Sequence, residues 1–185
     1  RRAGQRPTSP TVTDPSEPAV LTPPGLPILE AAAWVGHACW LELRLHAVLS
    51  HWLAIEPEPE ASAVFWTERA DAAERAEAWF RRLPELREHP RWTFVEASSE
   101  PVAHLLNQLA LFDDPGATAA RRGALAAVLR GLSLGYHSHQ ERADGPADGP
   151  TATTLVAALR STFGVGGYDP DPAWTQAVVD AGGLP

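Results

Sequence analysis

Lysine and methionine are absent from this chain of 185 residues, and cysteine occurs once. All 15 basic residues are therefore arginines, and 23 acidic residues give a net charge of −8. A general nucleic-acid binder would need a basic face for the phosphates, so the charge argues against that class. Cys39 alone cannot form an internal disulfide, which excludes a disulfide-stapled secreted scaffold. The lack of lysine beside abundant alanine, proline and arginine is typical of a GC-rich bacterial coding sequence.

Long apolar runs are also lacking. No uninterrupted apolar stretch reaches the roughly 18 residues that a membrane span requires. The first 20 residues contain arginines but no apolar segment of the kind found in signal peptides. We therefore expect a cytoplasmic protein without a membrane partner.

Proline density and helical periodicity divide the chain into three parts. Residues 1–28 are rich in proline and are predicted to be a disordered tail. Residues 29–163 are predicted to form a helical bundle domain, and residues 164–185 a C-terminal tail with a short helix. Helices are expected over about 29–55, 60–83, from Ser98 or Ser99 to about 112, over 117–143 and over 151–163. A short β-prone patch is expected at Trp92 to Val95, within the long connection.

The predicted fold class is all-α: a four-helix bundle with a long crossover between two helical hairpins, plus a short C-terminal helix. Each long helix has an apolar stripe at helical spacing. In the first helix the stripe comprises Trp34, Ala38, Leu41, Leu45, Val48 and Trp52. In the second it comprises Phe65, Ala72, Ala76, Trp79 and Leu83, with Glu74, Arg75 and Arg81 predicted outside. In the fourth it comprises Leu125, Val128, Leu129, Leu132 and Tyr136.

The stretch HACWLELRLHAVLSHWLA, residues 37–54, is the densest in chemically active side chains. His37 lies on the core stripe, where it is either a hydrogen-bonded core histidine or a metal ligand. Glu42 and His46 are one helical turn apart, but their angle from the stripe predicts that they face outward or toward a partner. Cys39 has no activating neighbour at helical spacing and is interpreted as a buried structural thiol.

Other polar residues fall beside the predicted core. Glu68 and Arg69 lie at the two edges of the second stripe, where burial would require pairing. His139 shares the core side of the fourth helix with Tyr136. The candidates for a ligand or metal site are therefore Glu30, His37, Glu68, Arg69, Tyr136 and His139. No CxxC, HExxH or P-loop motif occurs, and no catalytic residue is assigned.

The helix order and crossover length over residues 29–143 resemble the ferritin-like superfamily and, more loosely, its tRNA-hydroxylase-like branch. Members with a di-iron site have a carboxylate on each of two helices and Glu-x-x-His on the other two. In EAWF, Glu77 precedes Phe80 where the motif has histidine, so the resemblance implies a bundle without a complete di-iron site. HACWLELRLHAVLSHWL and HSHQER are also similar to metal-dependent thiol-transferase bundles with three histidine ligands.

The sequence therefore favours a ferritin-like module that forms a homodimer or binds a protein partner through tryptophan-rich helix faces. No cofactor is predicted for that module. The alternative is a metal-dependent enzyme or a small-ligand binder with an atypical site in the bundle centre. Its site would draw on Glu30, His37, Glu68, Tyr136 and His139, with a divalent metal ion as the cofactor.

Overall fold

The computed structural model describes residues 26–142, 153, 155–157, 159–160 and 169–185. These residues are mainly helical, which confirms the all-α class. The helices are α1 (Ile28–Ile55), α2 (Pro59–Arg82), α3 (Glu100–Ala110), α4 (Thr118–Arg142) and a C-terminal helix (Pro172–Asp180). Residues 153, 155–157 and 159–160 are helical as well. The predicted tail of residues 1–28 lies outside the described residues up to residue 25, and its last residue, Ile28, begins α1.

Helix ends follow the local sequence. Ser99 caps α3 by accepting a hydrogen bond from the backbone amide of Val102 at 3.3 Å, and Pro101 lies in the first turn, where its missing N–H costs nothing. Asp171 caps the C-terminal helix by accepting from the amides of Ala173 and Trp174. These caps satisfy donors that a helix start would otherwise leave unpaired.

The prediction of a short β-prone patch at Trp92 to Val95 is wrong. Arg91–Phe94 form a 3-10 turn, stabilised by hydrogen bonds from Thr93 to the carbonyl of Pro90. Within the described residues, the β-type pairing is an isolated bridge between Leu86 and His89. A strand needs a partner, and this connection instead lies against α1, where Gly36 allows the backbone of Phe94 to approach closely.

Contacts along the helices fix their directions. Near the start of α1, Trp34 packs edge-on against Trp79 near the end of α2, so these two helices form an antiparallel hairpin. Trp34 also stacks on His139 near the end of α4. At the opposite end of α1, Glu56 accepts a hydrogen bond from Thr118, the first residue of α4. Both α2 and α4 therefore run antiparallel to α1.

The C-terminal helix packs against both α3 and α4. Gly131 on α4 faces the side chains of Val178 and Leu184, which are both buried. Trp174 contacts Phe112, two residues after the end of α3, with ring centroids 5.6 Å apart. Residues that the sequence assigned to a tail thus contribute to the core.

The predicted apolar stripes lie inside. The three stripes are buried in full except for Trp34, which is half-buried. Leu49 is also fully buried, whereas Leu43 is 40% exposed. None of the helices in the described ranges combines the length and apolar character that crossing a membrane requires.

Candidate functional site

Glu42 lies in the core with 0% of its surface exposed, so the prediction that it faces outward or toward a partner is wrong. The reason is the width of the buried arc of α1. At about 100° per residue, the predicted stripe marks one edge of an arc that extends through Glu42. The residues that share this side recur at three- and four-residue intervals: Val35, Ala38, Leu45, Leu49 and Trp52.

Arg75 is also buried, at 2% exposure, which corrects the prediction that it lies outside. Its Nε donates a hydrogen bond to Oε1 of Glu42 at 2.7 Å. Arg75 is seven residues after Glu68 and four before Trp79, so helical geometry places all three on one side of α2. The pair joins α1 to α2 through charges that solvent does not reach.

Tyr136 adds the third helix to this network. Its hydroxyl donates to the same Glu42 oxygen at 2.7 Å and accepts from Nε1 of Trp79 at 3.1 Å. Burial and the neighbouring Glu42 carboxylate raise the pKa of Tyr136 well above its ordinary value, so it is a neutral donor. One carboxylate oxygen on α1 thus receives donors from α2 and α4.

Glu68 is the second interior carboxylate, at 1% exposure. Its Oε2 lies 4.0 Å from Nη2 of Arg75, beyond hydrogen-bond distance. Neither of its carboxylate oxygens has a hydrogen-bond partner among the described residues. Burial raises the pKa of Glu68 to about 7; Arg75 opposes the rise, and Asp71 and Glu42 add to it.

The guanidinium of Arg75 is the cation in this interior cluster. Burial acts to lower its pKa, but the charge and hydrogen bond of Glu42 raise the pKa above its usual value. Its two terminal nitrogens have no hydrogen-bond partner within the described residues. We call Glu42, Glu68, Arg75 and Tyr136 the interior polar cluster.

Aromatic rings cover one end of the interior polar cluster. His139 is fully buried and stacks on Trp34 with ring centroids 3.5 Å apart and planes 2° apart. Trp79 meets the His139 ring edge-on at 6.2 Å. Because Trp79 also donates to Tyr136, the aromatic rings and the polar cluster form one continuous core.

The sequence-derived candidates have different environments. Glu68, Tyr136 and His139 belong to the buried region just described, Glu68 through Arg75 and His139 through Trp79. Glu30 is exposed in the first turn of α1. His37 is half-buried; burial lowers its pKa, and Glu96 opposes that shift. Arg69 lies over the ring of Trp66, 4.3 Å from its centroid.

Glu42 and Arg75 are the two central residues that the sequence reasoning placed wrongly. Both could have been found from spacing. Glu42 falls at i+7 from Val35 and i+4 from Ala38, and Arg75 falls at i+3 from Ala72, so each continues an apolar row. The outward prediction for Glu42 rests on its angle from a stripe that marks only one edge of the buried arc.

The surface of the described structure includes two grooves of different size. One, of about 260 Å³, lies between α1, α2 and the 3-10 turn. We call it the α1–α2 groove, and it is lined by Cys39, Leu43, His46, Ala73, Ala76, Glu77, Phe80 and Trp92. The other, of about 500 Å³, lies between α3 and the C-terminal helix and includes His104, Leu105 and Trp174.

Cys39, which lines the α1–α2 groove, is a weak nucleophile. Burial, together with the charges of Glu42 and Glu77, raises the pKa of its thiol to about 11.

The interior residues do not fit a di-iron site. In the described ranges, no group of three or more histidine, cysteine, aspartate or glutamate side chains is arranged to hold a metal ion. The interior carboxylates already have the Arg75 guanidinium between them, and Phe80 follows Glu77 by three residues. Comparisons with protein-family models, curated proteins and solved structures found no match.

Proposed function

We propose that this chain is a non-catalytic helical bundle of ferritin-like type that associates with a second copy of itself through the α1–α2 groove. The observation that carries the non-catalytic part of the proposal is the buried ion pair between Arg75 and Glu42. Arg75 supplies the positive charge that carboxylates in a bundle interior need. A metal ion bound there would be repelled by the guanidinium, so the interior is adapted to hold the helices together.

The topology supports the ferritin-like part of the proposal. α1 and α2 form a hairpin, the long connection of residues 83–117 includes the short α3, and α4 runs antiparallel to α1. A bundle with one long crossover is the arrangement typical of ferritin-like proteins. The helical residues between 153 and 160 include the buried Leu155, Val156 and Leu159, which suit the remaining helix of such a bundle.

The outer surface of α1 and α2 supports self-association. Leu43 is 40% exposed and Trp92 is 65% exposed, both beside the α1–α2 groove, and Trp66 on α2 is 59% exposed. Tryptophan is favoured in protein interfaces. By contrast Trp52 and Trp79 are fully buried, so not every tryptophan-rich face is available to a partner.

The charges around this surface favour a second copy as the occupant. The chain carries a net charge of −8, so two copies repel unless the contact itself is balanced. The exposed side of α2 has Glu74 and Glu77 together with Arg81, and Arg69 is half-buried nearby. A twofold axis would bring the acidic residues of one copy near the arginines of the other.

The oligomeric mass tests this proposal directly. Light scattering at micromolar concentrations should give a dimer for the native chain and a monomer for Leu43→Glu. Leu134→Glu is the matched control, because Leu134 is 64% exposed on α4 and lies outside the groove. A monomeric native protein, or equal dissociation by both substitutions, would exclude the α1–α2 groove as the interface.

The alternative function, a metal enzyme or small-ligand binder at the bundle centre, has one observation in its favour. Five buried polar atoms of Glu42, Glu68 and Arg75 have no hydrogen-bond partner among the described residues. We expect no stoichiometric iron in protein purified without a histidine tag. Two irons per chain by elemental analysis would overturn the non-catalytic proposal in favour of this alternative.

A further inference from the structure

The interior polar cluster holds two carboxylates but one cation. Glu42, Glu68 and Arg75 are each at most 2% exposed. Arg75 commits its Nε to Glu42 at 2.7 Å, whereas its nearest atom to Glu68 is 4.0 Å away. If both carboxylates are ionised the cluster carries one uncompensated negative charge, and burial makes such a charge costly.

We propose that the carboxyl group of Glu68 is a proton-binding site that links the packing of α2 against α1 to pH near neutrality. With Glu68 protonated, Glu42 and Arg75 cancel, and the interior is neutral. When Glu68 loses its proton, the single cation Arg75 faces two carboxylates, and the net charge of the cluster becomes negative. Folded and unfolded chains therefore hold different numbers of protons in this pH range.

The charges that act on Glu68 come from two helices. Arg75 and Asp71 belong to α2, and Glu42 belongs to α1. On α4, Tyr136 contacts Glu42 and stays neutral, because burial and Glu42 raise its pKa. The negative charges of Asp71 and Glu42 oppose ionisation of Glu68, and Arg75 is too far away to form a direct hydrogen bond with it.

The sign of the pH dependence follows from the pKa of Glu68. Burial raises this pKa from 4.5 to about 7 in the folded chain, whereas an unfolded chain has the ordinary value. Between these values the folded state binds the extra proton, so raising the pH destabilises it. The contribution is fully present below about pH 4.5 and is lost as the pH rises through about 7.

The test compares urea unfolding of the native chain with Glu68→Gln across pH 5.5 to 8.5. Glutamine keeps the shape of the neutral carboxyl group but cannot ionise. Relative to the variant, the native unfolding constant should rise by up to about tenfold per pH unit below pH 7 and then level off. Glu60→Gln is the matched control, since Glu60 is exposed in the first turn of the same helix and lies outside the α1–α2 groove, so it should leave the pH profile unchanged. His37 is present in the native chain and in both variants, so its titration contributes equally to the three pH profiles and does not affect their comparison.

A direct measurement of the ionisation of the Glu68 carboxyl group tests this proposal independently of the proposed dimer. In the Leu43→Glu background, carbon-13 NMR of labelled glutamates should show one carboxyl titrating near pH 7, and Glu68→Gln should remove that signal. If Glu68→Gln folds poorly, the titration of the protein that keeps Glu68 still shows whether a glutamate carboxyl group titrates near pH 7. Parallel pH profiles of unfolding for the native chain and Glu68→Gln, or glutamates that all titrate below about pH 5.5, would overturn the assignment.

Discussion

The hydroxyl of Tyr136 and the carboxylate of Glu42 lie 2.7 Å apart although 94 positions separate the two residues in the chain. The same carboxylate oxygen accepts the Nε hydrogen of Arg75. A single atom on α1 therefore fixes the positions of α2 and α4 relative to it. A buried acceptor with two directional donors adds a constraint on helix alignment to that of apolar packing.

Tyr136→Phe tests this alignment. The substitution removes one donor to Glu42 and leaves Nε1 of Trp79 without its acceptor. We expect a loss of about 1–3 kcal/mol in the free energy of unfolding, because buried polar groups lose their partner. Urea unfolding gives the value, and a double-mutant cycle with Glu42→Gln isolates the coupling. Additive effects in that cycle would show that the two groups do not interact.

Arg75→Met should be more damaging, because it leaves two buried carboxylates without a cation. Breaking a buried pair by removing one partner costs about 3–5 kcal/mol. Arg81→Met is the matched control on the same helix, with both substitutions made in the Leu43→Glu background so that the proposed dimer contact does not contribute: Arg81 pairs with Glu77, and their side chains are 74% and 58% exposed. Such a surface pair contributes about 0–1 kcal/mol. Equal losses for the two substitutions in urea unfolding would show that burial of Arg75 is not important.

A triple variant tests whether removing all three charges of the cluster restores the stability that is lost when Arg75 alone is replaced. Arg75→Met combined with Glu42→Gln and Glu68→Gln removes all three charges, so we expect it to be more stable than Arg75→Met alone. The physical reason is that the single substitution leaves uncompensated charge inside, whereas the triple one leaves none. A triple variant no more stable than Arg75→Met would attribute the loss to packing of the arginine side chain.

Apolar periodicity, with the capping residues and prolines, predicts α1 to α4. The sequence predicts a first helix over about 29–55, and α1 runs over Ile28–Ile55; of the two residues predicted as possible caps of α3, Ser98 and Ser99, it is Ser99 that caps it. The 3-10 turn at Arg91–Phe94 was not predicted, because its β-prone residues pack against α1 instead of pairing with a strand. Close approach at Gly36 is a tertiary feature that local propensity does not contain.

The interior polar cluster was predicted less well than the helices. Tyr136 and His139 were placed inside correctly because they continue an apolar row. Glu42 and Arg75 continue such rows too, but the apolar stripe read from a single helix is narrower than the arc that tertiary packing buries. Burial of each charged residue depends on its partner on the other helix, Arg75 for Glu42 and Glu42 for Arg75. These partners are 33 positions apart in the chain, and helical spacing does not reveal such a contact.

Glu56 is expected to contribute to acid sensitivity. Burial acts to raise its pKa, but hydrogen bonds from Thr118, Arg121 and the amide of Glu58, with the charge of Arg121, lower the pKa below its ordinary value. This stabilisation is present above the unfolded pKa of about 4.5 and is lost as the pH falls through the lower folded value.

Glu56→Gln should therefore flatten the stability profile between about pH 2 and 5 relative to the native chain. Glu58→Gln is the control at the same end of the bundle, because Glu58 is exposed and lies 3.8 Å from Arg122. Acid titration followed by circular dichroism measures both. Identical acid midpoints for the native chain and Glu56→Gln would contradict the assignment.

Gly36→Ala sets two effects against each other. Alanine favours a helix interior over glycine by about 1 kcal/mol, and on that ground the substitution should stabilise α1. However, a Cβ added at Gly36 would overlap the backbone carbonyl of Phe94, and overpacking costs about 1–3 kcal/mol. A backbone atom cannot rotate away, so we expect a net loss of stability and displacement of the 3-10 turn.

Gly116→Ala is the control. At Gly116 the added Cβ would meet the side chain of Asp114 at 3.3 Å. That side chain can shift, so Gly116→Ala should be nearly neutral. Thermal unfolding measures both, and a higher melting temperature for Gly36→Ala would show that the turn does not pack on α1 as described.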